Sequence, residues 1–266
     1  MNIKSILAVI CAITIFTAGS ALAGPSAQIM IPSTDIKVLK EVAGGFTYIG
    51  RFGSKADAGA SSYDIWVTTG ILPFENLKLE VGFDYVTSNL QNDNFSDNHP
   101  FSFNTKLGTP EDAFGIKGLP AFAVGMYGLG TYDKAEIGST RQNIVYGLVA
   151  KTLPVVGRFS AGGYHGSRRA LATAFNPSNT NMNSGLMASW DRSMPEISEK
   201  LWLGVDYMSG NNANGEISLG ASWAFSKQVT LLVGAVFFNP FYNPSGAGDL
   251  PGGKPAFTTQ LTINLP

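Results

Sequence analysis

A two-residue period organises this chain. Tyr63, Ile65, Val67, Thr69 and Ile71 alternate with Asp64, Trp66, Thr68 and Gly70. Leu77, Leu79, Val81, Phe83 and Tyr85 alternate with Lys78, Glu80, Gly82 and Asp84. The same rhythm runs through 201–208, 216–225 and 257–265. One set is predominantly apolar each time; the other mixes glycine, hydroxyl, amide and charged residues. A period of two predicts strands, and two such different faces predict different solvents on the two sides of one sheet.

The connections also alternate in character. Short turns bearing proline or charge fall near 72–76, 110–119, 153–157, 193–199 and 226–228. Longer polar loops fall near 54–61, 89–100, 131–142, 167–183, 209–214 and 240–255. Interleaved, they predict about twelve antiparallel strands of about 10 residues. An even count puts both chain termini on the side of the short turns, which is the periplasmic side in bacterial outer-membrane barrels.

A repeat marks every second strand. Each short turn is followed by an apolar residue, any residue, a small or apolar residue, a glycine and an aromatic two or three residues on: LEVGFDY at 79–85, FAVGMY at 122–127, FSAGGY at 159–164, LWLGVDY at 201–207 and LLVGAVF at 231–237. Gly82, Gly125, Gly162, Gly204 and Gly234 all fall on the mixed face. There they predict a row of small residues relieving crowding inside a curved sheet.

Composition decides what the apolar face meets. Charged residues are only 14% and glycine is 31 of 266 residues, against roughly 25% and 7% in ordinary soluble domains. The one cysteine, Cys11, lies in an N-terminal stretch with a basic start at Lys4, an apolar core over 6–16 and a small-residue site at Ala21-Leu22-Ala23. That is a secretory signal peptide expected to be removed after Ala23. No later stretch approaches a membrane-spanning helix. The fold expected is all-β: one antiparallel up-and-down transmembrane barrel over 43–266, preceded by a periplasmic lead-in over 24–42, read as a short linker rather than a plug. The location expected is the bacterial outer membrane, with lipid on the apolar face and solutes on the other. A formal net charge of −1 gives no argument for nucleic acid.

The mixed face carries the candidate chemistry. Lys78, Arg158 and Lys200 each stand four residues before a repeat glycine, toward the short turns. Asp84 and Asp206 stand two residues after one, toward the loops. Glu80 joins them, with Lys106, Lys151, Glu216 and Asp64 as further candidates. These predict either a pore lined by charges of both signs or a lumen filled by internal ion pairs. Arg168 and Arg169 open the 167–183 loop, a candidate constriction. No metal cluster, phosphate loop or cofactor motif is present in the sequence. His99 and His165 are the only histidines. Ser167 stands two residues after His165, with no orienting carboxylate in sequence, so no enzyme is expected.

The opening IPSTDIKVLKEVAGGFTYIGRF at 31–52, above all Ile31-Pro32-Ser33-Thr34-Asp35, and PAFAVG at 120–125 resemble the YjbH-like group of bacterial outer-membrane barrels. The resemblance implies a barrel linked to exopolysaccharide export, so a structural or export-accessory role stands beside a passive channel for small solutes. Outer-membrane barrels usually end on an aromatic residue; this chain ends Thr262-Ile263-Asn264-Leu265-Pro266.

Overall fold

The computed structural model describes residues 27–52, 61–87, 100–131, 141–171, 182–241 and 254–265. The signal peptide, His99 and parts of five of the loops lie outside them. Alternation becomes strand wherever it was read: β1 Val42–Arg51, β2 Ser62–Gly70, β3 Lys78–Thr87, β4 Phe101–Thr109, β5 Ala121–Gly130, β6 Ile144–Leu153, β7 Gly157–His165, β8 Ser184–Ser193, β9 Leu201–Met208, β10 Glu216–Ala224, β11 Val229–Phe238 and β12 Ala256–Leu265. Each pairs antiparallel with its chain neighbour, and β1 closes on β12 from Val42↔Leu265 to Arg51↔Ala256. The result is a closed twelve-stranded barrel, which removes every open sheet edge.

Its polarity is the inverse of a water-soluble domain. Outward positions carry exposed Ile65, Val67, Phe103, Val124, Leu186, Leu219 and Val233, while inward positions bury Glu80, Lys106, Asp191, Asp206, Ser218, Thr258 and Gln260. Water outside would leave a continuous apolar belt exposed far beyond what a soluble monomer tolerates. Hydrocarbon outside satisfies it, and a closed ladder pairs strand with strand all the way round, as a bilayer requires. This is a transmembrane barrel fold.

The repeat glycines meet in the sheet. Gly204 and Gly234 flank Gly220 on adjacent strands, making a three-glycine rung across β9, β10 and β11. A methyl group at Gly220 would stand 3.0 Å from Ile29 Cδ1, so the rung makes room for a residue that belongs to no strand. Elsewhere the freed space takes a ring: Gly45 lies under Trp66 and Gly204 under Trp202.

Candidate functional site

Residues 27–37 are not a slack linker outside the barrel. They run within the ring of strands, and inward side chains from both halves of the wall hold them. Gln28 N–H donates to Ile31 O at 2.8 Å, closing a tight turn. The N–H groups of Ile29, Met30 and Ile31 converge on one oxygen, Asp206 Oδ2, at 2.9, 2.8 and 3.1 Å. Successive amides gathered in this way form a concave anion nest, and here the anion is a wholly buried side chain of β9. Gln260 Nε2 of β12 donates to Ile29 O at 2.7 Å.

Lower in the lumen the charges alternate. Gln28 Nε2 donates to Asp191 Oδ1 at 2.9 Å, and Arg158 Nε donates to that same oxygen at 2.9 Å. The outer fork of Arg158 grips Asp35 at 2.6 and 2.9 Å. Lys106 Nζ donates to Ser33 O at 3.1 Å, and Lys37 N–H donates to Glu80 Oε2 at 2.9 Å. Glu80 and Lys106 are themselves cross-strand partners. Partial desolvation pulls the Asp35 carboxyl upward, but the charge and hydrogen bonds of Arg158 hold it below the ordinary carboxylate value.

The plug divides the lumen unequally. On the β6–β9 side Ile31 joins Ile144, Tyr146, Leu148, Tyr164, Met187, Met208 and Leu171 in an apolar cluster. Above it, Asn212 Nδ2 donates to Tyr164 Oη and to Met182 O, each at 2.7 Å, and Gln142 and Asn214 exchange amide hydrogen bonds. On the β1–β5 side a cavity of about 380 Å³ remains, walled by Asp64, Trp66, Asp84, Asn104, Lys106 and plug residues including Met30.

The candidate residues therefore separate by role. Glu80, Arg158 and Asp206 grip the plug, Asp84 lines the cavity, and Lys78 stands half-buried at the first rung of β3. Lys200 is exposed in the turn before β9, because the alternation that would aim it inward starts only at Leu201. Lys151 reaches the adjoining turn, 3.0 Å from Glu111 and 3.4 Å from Asp112, rather than the lumen. Arg168 and Arg169 are exposed. It is Ala170 and Leu171 that turn inward, 0% and 1% exposed, and the loop over 172–181 lies outside the described residues. Sequence reasoning missed Asp191 and Gln260, both inward on strands, and the 27–32 turn.

His165 pairs with Ser184, not Ser167. Its Nδ1 lies 2.6 Å from Ser184 Oγ on the outer face, and no carboxylate hydrogen-bonds to it among the described residues. No group of His, Cys, Asp or Glu able to hold a metal occurs among the described residues.

No known family model matches the chain, and comparison with curated proteins gives no match. Neither comparison supports the YjbH-like resemblance. Among solved structures, the chain is similar to the outer membrane phospholipase A of Escherichia coli, at 11% identity and TM-score 0.43, over 87% of this chain and 98% of that one. It is similar to the calcium-bound phospholipase dimer of Salmonella typhi at 11% and 0.42, over 85% and 90%. It is also similar to Salmonella typhi OmpF in complex with daunomycin at 10% and 0.39, over 85% and 97%. Likeness at this level carries no information about substrate or activity.

Proposed function

We propose that this protein is an outer-membrane barrel that passes small solutes through a lumen its own N-terminal segment obstructs. The observation that carries the reading is the chemistry of the plug. Many of its contacts are hydrogen bonds and ion pairs to inward side chains, which water can replace when the segment moves. The cavity beside it supports the same reading, since a barrel built only to be filled has no use for 380 Å³ of open space.

The alternative is a non-conducting structural or export-accessory barrel. The density of plug contacts favours it: Asp206 alone fixes three consecutive amides. Planar-bilayer recordings separate the two. The transport reading expects small, intermittent currents from the native chain and larger ones from Asp206→Ala and Arg158→Ala. Correctly folded variants that stay as silent as the native chain would sink it and leave the structural reading standing.

A further inference from the structure

The cavity on the β1–β5 side has a composition that selects for one kind of guest. Asp64 and Asp84 both face it, with Trp66, the cross-strand partner of Asp84, two residues along β2 from Asp64. Asp84 accepts a hydrogen bond from Asn104 Nδ2 at 2.8 Å. Asp64 Oδ1 is enclosed and has no partner. Lys106, the cation of the same wall, is directed to Ser33 O of the plug and lies opposite Glu80. Among the described residues, neither carboxyl group is hydrogen-bonded to or ion-paired with a cation.

An enclosed carboxylate oxygen without a donor is costly unless a cation or proton meets it. A bare metal ion would fill little of 380 Å³, which lies in the range of small-molecule pockets. Beside hydroxyl and amide residues, the wall includes the apolar and aromatic side chains of Trp66, Met126 and Tyr146. Indole and phenol faces attract ammonium groups and cover their methylene chains.

We propose that this cavity binds a small organic ammonium, its cationic nitrogen between Asp64 and Asp84 and its hydrocarbon against Trp66. The inference deepens the solute-passing reading by naming the solute class. It stands or falls separately, because binding can be read without any current.

Calorimetric titration of the full chain in detergent micelles with the diamine putrescine tests it, with neutral butanediol and calcium chloride as parallel arms. The expected result is saturable putrescine binding and none of butanediol, weakened about tenfold by Asp64→Asn, a change of the size a lost charge-assisted hydrogen bond gives. Trp66→Phe should remove the accompanying change in indole fluorescence while the protein keeps its thermal stability. Equal binding of butanediol, or binding unaffected by both Asp64→Asn and Asp84→Asn, would overturn it. So would calcium binding without putrescine binding, which would mark an inorganic cation site, or no binding at all. Putrescine binding in a protein that passes no current would leave this inference intact and defeat the transport reading.

Discussion

Arg158 of β7 and Asp35 of the plug meet as a two-pronged pair inside the barrel, at 2.6 and 2.9 Å. The pair joins a strand in the middle of the chain to a segment 123 residues earlier, and Asp191 accepts a second contact from Nε of the same guanidinium. A fork-to-fork pair fixes orientation as well as distance, so the lower plug can sit in one register only.

A double-mutant cycle on this pair should give a modest coupling. The Asp35 side chain is 42% exposed and Arg158 16%, so water screens part of the attraction and about 1 kcal/mol is expected. Arg158→Ala alone should cost more, since it also strips Asp191 of its cation. Hydrogen exchange across 27–37 in the two single variants and the double variant measures both quantities.

Acid should loosen the plug, and only strong acid. The Asp35 carboxyl is held below its ordinary 3.8. A depressed folded value gives stability that is fully present above the unfolded value and is lost as pH falls through the folded one. The Asp35 contribution to plug protection is therefore expected to be flat from pH 7 to about pH 5 and to fall below about pH 4. The component due to Asp35 should vanish in Asp35→Asn. A transition near neutral pH that disappears in that variant would contradict the assignment.

Removing the Asp206 carboxylate should release the upper turn. Asp206→Ala leaves the amides of Ile29, Met30 and Ile31 without their acceptor, a loss of about 2–4 kcal/mol. Asp206→Asn keeps one acceptor oxygen and should lose less. Exchange of those amides should rise by more than about tenfold in the alanine variant while the strand amides of β9 stay protected.

Gly220→Val tests whether the glycine rung exists for the plug. The first added carbon already falls 3.0 Å from Ile29 Cδ1, and two further methyl groups have nowhere to go unless Ile29 moves. The variant should fold as a barrel yet lose protection at 27–31. Retained protection would show that the rung serves the sheet alone.

The membrane reading has its own test on the outer face. Val233, at mid-strand in β11 and 52% exposed, should tolerate Leu. Replacement by Arg should cost about 2–4 kcal/mol in lipid, as for barrel positions near the bilayer midplane. Refolding equilibria in vesicles against urea measure the difference.

The strands were legible because lipid enforces one simple rule on alternate residues. Leu201, Leu203, Val205 and Tyr207 all obey it, which places Gly204 and Asp206 on the opposite face, where Asp206 is buried. The glycine repeat was legible for the same reason: its offset from the apolar face is fixed by the period. The plug was not. Ile29-Met30-Ile31 has no period, and it acts through backbone amides, which every residue carries and no sequence displays. Its charges gave the available hint: Asp35, Lys37, Lys40 and Glu41 crowd a segment read as a linker, in a chain otherwise poor in charge. The wall residues that answer them, such as Asp191 and Gln260, were hidden because nothing in sequence distance links 28 to 191 or 29 to 260. His165 shows the same limit, since its serine comes from the neighbouring strand.

Asp206, Asp191 and Gln260 lie 177, 163 and 231 positions from the plug residues they hold. Each strand, by contrast, needs only its chain neighbour across a turn, apart from the seam between β1 and β12. Contacts so remote carry the largest loop-closure cost and form slowly. The hairpins therefore have every kinetic advantage, and the nest around Asp206 does not exist until β9 is in place. The segment synthesised ahead of every strand is therefore expected to be the last to find its seat.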